Sequence, residues 1–222
     1  MKIIAFVPSR LNSERVPSKN VKLLGGVSLI NYSLRALNKV KALNDLVVFA
    51  SEPSITKYIE SDLKYAYLER PKSLDTQTAT IQDIIDEFLK LNDAEIIVLL
   101  HITSPFLKPA TIAECIDKVV SGGYDSAFTA YAFKKFAWFR GKPLNYSLDA
   151  PTPRTQDIDP VVIEQSSLYV FKRELFMNRR RRIGDKPYIK NIDHFEGHDI
   201  DTPEDFEIAE LMVNAGFFQP LK

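Results

Sequence analysis

Four apolar runs set the rhythm of the chain: Ile3 to Val7 (IIAFV), Leu46 to Ala50 (LVVFA), Lys64 to Glu69 and Glu95 to Leu100 (EIIVLL). They are largely continuous rather than alternating, which is how strands buried on both faces read. Between them the apolar positions recur at steps of three and four. Val27, Ile30, Leu34, Leu37 and Val40 predict an amphipathic helix introduced by Gly25-Gly26, and Pro53-Ser54 open a helix through about Asp62. Ile81, Ile84, Ile85, Phe88 and Leu89 mark another, with Thr80 and Asp83 spaced as a capping box. Thr111 and Glu114 cap the next, which runs to Gly122-Gly123. Strand and helix alternating through short turns predict an α/β fold, a Rossmann-like mostly parallel sheet with helices on both faces.

The alternation breaks near Tyr131. From there to about Asp159 the chain carries Lys134, Lys135, Phe136, Trp138, Phe139 and Arg140 among several prolines. The stretch is too apolar for a free linker and too broken for a helix, which predicts an inserted arm serving as an oligomer contact or a substrate lid. The sheet resumes at Val161 to Phe171. The ending, His198 to Asn214, reads as a strand end followed by a helix. Residues 1–222 thus form one domain with an inserted arm at about 131–159.

Composition narrows the function only by exclusion. The 29 cationic and 29 acidic side chains cancel, so the overall field advertises neither nucleic acid nor membrane. No apolar run approaches the roughly 20 residues a membrane span needs. Met1-Lys2 leads straight into a strand, unlike a signal peptide. The single Cys115 falls among Ile112, Ile116 and Val119 at helical spacing, as a core residue would, and fits a reducing, cytoplasmic setting. An anion site must therefore come from local placement of charge.

Ligands of open α/β sheets bind beyond the carboxyl ends of the strands. The loop after the first strand holds Arg10, Arg15 and Lys19 among small polar residues, and is placed to receive a polyanion such as a nucleoside triphosphate. It matches neither the P-loop nor the dinucleotide-binding glycine pattern. Asp199 and Asp201, two apart on an extended segment, present paired carboxylates that suit Mg²⁺ or form a solvated turn. Thr202, Pro203 and Asp205 read as helix cap, first helical residue and third-position acid. His101, Thr103 and Ser104 follow the strongest strand, where they could hydrogen-bond a base, ribose or sugar. Arg70-Pro71 with Thr78, Ala79 and Thr80 could read a nucleobase edge. Arg179 to Arg182 are a solvated face or an attractor of an acidic substrate. His194 and His198 lack partners at zinc spacing.

Together and in this order these motifs resemble the acylneuraminate cytidylyltransferase family. The resemblance spans almost the whole chain and rests on Arg10-Leu11-Asn12-Ser13 with Pro17 and Lys19-Asn20, on Arg70-Pro71, on Thr103-Ser104-Pro105 and on Asp199-Ile200-Asp201-Thr202. It implies a nucleotide-diphospho-sugar transferase type of fold, an inserted dimerisation arm and hence a homodimer, Mg²⁺ or Mn²⁺, CTP and an acidic sugar. Carried over by motif, Arg10 and Lys19 would hold the triphosphate, with Asn12 and Ser13 beside them. Asn20, Arg70, Thr78 and Ala79 would frame the cytosine. Asp199 and Asp201 would hold the metal, while His101, Thr103, Ser104 and Arg154 would face the sugar. The chain departs from the family where His101-Ile102 replace Gln-Pro, where Ser166-Ser167 replace Asn-Gly, where Leu107 replaces an arginine and where Gln77 replaces an aspartate. The nucleotide half is kept more closely than the sugar half. A nucleotide-sugar glycosyltransferase using Asp-x-Asp and a metal, and a non-catalytic nucleotide-binding relative, are the alternatives.

Overall fold

The computed structural model describes residues 1–12, 16–76 and 78–218. Strand β1 (Ile3–Ser9) runs through Pro8, past the predicted stop. Its ladder to the strand on one side ends at Phe6, so the last residues pair on one side only, an edge-like setting that tolerates proline. A 3₁₀ turn (Lys19–Val21) leads to the hairpin β2 (Leu23–Leu24) and β3 (Val27–Ser28). Gly25 and Gly26 form its turn with φ of 54° and 80°, the left-handed pair that a tight two-residue hairpin demands. These glycines therefore close a hairpin instead of introducing a helix, and α1 (Leu29–Asn38) begins after it.

Strand β4 (Asp45–Ala50) follows, then a 3₁₀ turn over Pro53–Tyr58 in place of the longer helix expected to Asp62. Only Ile55 is buried there, and no apolar stripe holds further turns. Strand β5 (Ala66–Glu69) and a 3₁₀ turn (Lys72–Asp75) precede α2 (Ile81–Leu91), whose Thr80–Asp83 capping box is formed. After β6 (Ile96–Leu100), α3 (Pro109–Val120) starts earlier than predicted. Proline at its first turn suits helix entry, so Lys108 is the cap, Thr111 is buried inside the helix, and Glu114 binds Lys190 at 2.6 Å.

The arm leaves at the end of β7 (Ser126–Phe133), forms the small hairpin β8 (Trp138–Phe139) and β9 (Lys142–Pro143), and returns into β10 (Val161–Lys172). Because no crossover helix intervenes, β10 comes back antiparallel to β7 and β6. Beside the two short hairpins, α4 (Arg173–Arg179) and the edge strand β11 (Pro187–Asn191) have no counterpart in the sequence reading. Residues His198 to Asp201 are not a strand. They run beside the end of β6, held by Ile200 N–H donating to Thr103 O at 2.8 Å, and enter α5 (Pro203–Asn214) through the capping box of Thr202 and Asp205.

The seven-stranded sheet has the order β11-β7-β10-β6-β1-β4-β5, with β10 its antiparallel member. Helices α1, α3 and α5 cover one face and α2 and α4 the other. On the α2 side Phe6 stacks on Phe88 with centroids 4.2 Å apart, and Phe49 meets Phe88 edge-on. Cys115 is fully buried under α3, and burial pushes its thiol up to about 12, which leaves it an inert core residue. From β1 the chain moves first to β4 and β5 on one side, then to β6 on the other. That reversal opens a crevice at the carboxyl ends of β1 and β6.

Candidate active site

The crevice is a cleft of about 590 Å³, within the range of small-molecule sites. It brings together Arg10, Lys19, Asn20, Arg70, Ala79, His101, Thr103 and Asp201, each on a different loop or strand end from most of the others. Val16, Leu74, Ile81 and Ile84 supply its apolar walls.

The loop after β1 is fixed from within. Asn20 is buried, and its Nδ2 donates to Arg10 O at 2.9 Å and Ser9 Oγ at 3.3 Å. Lys19 lies on the 3₁₀ turn entered through Ser18 at a left-handed φ of 51°. Its Nζ donates to Ile200 O at 2.6 Å and lies 3.5 Å from Asp201 Oδ1, so the first loop and the last loop meet at one ammonium group. Arg10 Nη1 donates to Asp75 O at 2.8 Å, and the buried Arg70 donates through Nη2 to Asp75 Oδ1 at 2.5 Å.

Asp199 and Asp201 flank the fully buried Ile200. Ser104 Oγ donates to Asp199 Oδ1 over 3.4 Å, and Asp201 faces the cleft beside Lys19. Asp201 lines the cleft and Asp199 does not, so the structure places one hard carboxylate donor of the pair on the wall. Such a donor fits Mg²⁺ or Mn²⁺, ions that keep several waters and complete their shell with substrate phosphates. Among the described residues no cluster of three or more His, Cys, Asp or Glu side chains could form a closed cage, so a metal here would need those outside ligands. Burial would push the Asp205 carboxyl up, but hydrogen bonds from the N–H groups of Thr202 and Asp201 hold it below its usual range, committing it to the helix cap.

His101 ends β6. Its N–H is tied to Ser167 O at 3.0 Å, beside the register shift between Gln165 and Tyr169 in β10. Burial, and secondarily the charge of Arg182, lower its pKa to about 4, so the ring is neutral at pH 7. Nε2 is buried with no hydrogen-bond partner among the described residues. Arg182 lies 3.6 Å over the Tyr169 ring, apart from Arg179, Arg180 and Arg181, which form exposed ion pairs with Asp185, Asp83 and Asp86.

Other predicted residues lie off the cleft wall. Ser104 is buried and Asn12 and Thr78 are exposed, none of them lining the cleft, and Arg154 sits on the exposed arm paired with Asp157 at 2.7 Å. Lys108 is held by Asp193 and Glu196 at 2.9 and 3.2 Å and does not replace the arginine absent at Leu107. Ser13, Arg15 and Gln77 lie outside the described residues. Two residues went unread. Asp75 gathers Arg10 and Arg70, and Glu196, although an acid, is buried and anchors the segment leading to Asp199. A buried glutamate facing a helix-capping lysine leaves no mark in a sequence.

The comparisons with known proteins point the same way. The chain is 30% identical to an N-acylneuraminate cytidylyltransferase of Oncorhynchus mykiss over 97% of its own length and 51% of that protein's. It is 26% identical to the CMP-N,N'-diacetyllegionaminic acid synthase of Legionella pneumophila, covering 96% of this chain and 97% of the relative. The chain thus spans about half the length of several curated relatives it matches, and nearly all of others. A solved CMP:2-keto-3-deoxy-manno-octonic acid synthetase, complexed with CTP, superposes with a TM-score of 0.71 at 16% identity, over 97% of this chain and 100% of that one, which establishes the shared fold. The family model described as cytidylyltransferase matches residues 4–213, almost the whole of the sheet and its helices. The chain belongs to the cytidylyltransferase family.

Proposed function

We propose that this protein activates an acidic 2-keto-3-deoxy sugar with CTP, giving the CMP-sugar and pyrophosphate. The observation that carries the reading is the convergence of Arg10, Lys19, Asn20, Arg70 and Asp201 on one cleft at the topological switch point of a cytidylyltransferase. The anomeric hydroxyl oxygen of the sugar attacks the α-phosphorus of CTP, the bond to the bridging oxygen breaks, pyrophosphate leaves, and the hydroxyl proton passes to solvent. Such displacements ask the protein for alignment and charge neutralisation rather than covalent chemistry.

Arg10 and Lys19 hold the triphosphate and meet the charge that builds on the leaving pyrophosphate. Asn20 and Arg70, both hydrogen-bonded within the cleft wall, receive the cytosine with Ala79. Asp199 and Asp201 would hold Mg²⁺, which supplies Lewis acidity toward phosphate oxygens and lowers the pKa of a bound hydroxyl. His101, kept neutral, and Thr103 face the sugar as hydrogen-bonding groups rather than as a cationic acid.

The arm presents Trp138 and Phe139 more than half exposed, with Leu144, Val162 and Ile163 also exposed. A second copy of the chain is the partner this reading gives it, and with it a homodimer in which the arm with Arg154 reaches toward a neighbouring sugar site. Dependence on CTP fits the cytoplasm, and among the described residues no helix is long and apolar enough to cross a membrane. The deciding experiment measures pyrophosphate release from each of the four nucleoside triphosphates against a panel of octulosonic and nonulosonic acids. Release confined to CTP with at least one acid sugar is the expected result. Absence of release with every acid sugar, from protein that is folded and supplied with Mg²⁺, overturns the reading.

A further inference from the structure

Asp75 does not itself line the cleft, yet three strand-end loops are tied to it. Its backbone carbonyl accepts Arg10 Nη1 from the loop after β1 at 2.8 Å. Its Oδ1 accepts Arg70 Nη2 from the end of β5 at 2.5 Å, and its Oδ2 accepts Ser51 Oγ from the end of β4 at 2.5 Å. Both carboxylate oxygens are taken, so the group cannot rotate without losing a bond. The Arg70 side chain is only 3% exposed. A guanidinium so buried persists only beside a compensating charge, and Asp75 is the acid that supplies it. With Nη2 occupied, Arg70 Nε remains buried and without a hydrogen-bond partner among the described residues, on a side chain that lines the cleft. A buried N–H in that condition is a donor waiting for an acceptor.

Resting on the cytidylyltransferase reading, we propose that Asp75 is the positioning residue of the nucleotide site. It locks Arg10 and Arg70 into one prealigned wall and neutralises Arg70, so that Arg70 meets the nucleotide as a directed hydrogen-bond donor to an acceptor atom of the base and leaves phosphate charge to Arg10 and Lys19. The division of labour follows from the pairing: Arg70 with its counter-ion at 2.5 Å offers direction, whereas Arg10, held among the described residues by a carbonyl, and Lys19, whose carboxylate neighbour stands off at 3.5 Å, still offer charge.

The test is a double-mutant cycle read by calorimetric Kd for CTP with Mg²⁺ present, so that it does not depend on turnover. Asp75→Asn keeps size and one acceptor but removes the charge. It is expected to weaken CTP at least tenfold, on the scale of losing a supporting partner behind a ligating group, while pyrophosphate affinity holds within twofold. In an Arg70→Ala background the same change is expected to move Kd less than twofold, because Asp75 acts through Arg70. A merely structural acid would instead weaken CTP equally in both backgrounds, and that result overturns the proposal, as does a Kd for Asp75→Asn within twofold of the parent. Should Asp75→Asn fail to fold, Ser51→Ala releases only the hydroxyl that orients the carboxylate. A rise of about threefold in Kd for CTP is then expected, and no change refutes the idea. A parent protein that binds CTP but never releases pyrophosphate would sink the catalytic reading and leave this cycle intact.

Discussion

His101 allows a sharp test of how the cleft is built. The ring ends β6 between the cleft and Tyr169, whose centroid is 6.3 Å away, and the guanidinium of Arg182 stands over that tyrosine while pairing with Glu164 at 3.6 Å. Burial first, and Arg182 second, lower its pKa from 6.5 to about 4. The unfolded chain therefore takes up a proton at His101 near pH 6.5, and the folded chain does not until about pH 4. The stability due to this residue is complete above 6.5, falls as pH drops through the window between the two values, and levels off below about 4. At about 1.4 kcal/mol for each tenfold gap, the full interval amounts to about 3 kcal/mol. One edge of the ring borders the open cleft, where water can reach it, so the realised loss is smaller than the full interval. Urea unfolding of the parent and of His101→Gln at pH 7 and pH 4.5 should show the parent losing about 1 to 2 kcal/mol more than the variant. Carboxylates that titrate in the same interval cancel in the difference. Equal losses would refute the neutral, buried imidazole and the hydrogen-bonding role given to it.

Four further outcomes follow from the geometry. Lys19→Ala removes the ammonium that joins the first loop to Ile200 and Asp201, and pyrophosphate release should fall by about two to four orders of magnitude; near-parent release rejects its role. Asp201→Asn should shift the Mg²⁺ titration of activity to higher concentration, and an unchanged titration argues against metal at the Asp pair. The proposed homodimer predicts that the parent sediments as a dimer and that replacing Trp138 and Phe139 together by serine gives a monomer, with the melting temperature little changed because both side chains are exposed in the single chain; a monomeric parent rejects that role for the arm. Phe88→Ala deletes the ring that Phe6 and Phe49 pack against and should cost about 3 to 5 kcal/mol in chemical unfolding.

The sequence was most legible where local chemistry and global fold agree. Continuous apolar runs announced β1, β4 and β6, and spacing alone announced the capping boxes of Thr80–Asp83 and Thr202–Asp205, both formed. Gly25-Gly26 misled because a glycine pair serves equally before a helix and inside a hairpin, and the two-residue strands beside it are too short to show a period. Strand β11 escaped because PYIKN lies at an edge, half exposed, where no apolar run is needed. In the cleft, Arg10, Lys19, Asn20, Arg70 and Asp201 were readable as motif residues in the loops where strands end. Asp75 was not, since its meaning lies in three loops meeting at one carboxylate and one carbonyl. Arg154 finds Asp157 three residues on, and that local pair keeps it on the arm in the single chain.

The bond from Lys19 to Ile200 O spans 181 positions of sequence. It has a consequence for when the protein becomes competent as well as for how. Contacts of such separation pay their loop-closure cost late in folding, so the loop after β1 and the loop before α5 meet only among the last steps. A ligand bound across both loops would accordingly stabilise only the state in which they have met, and by mass action would shift the population toward it.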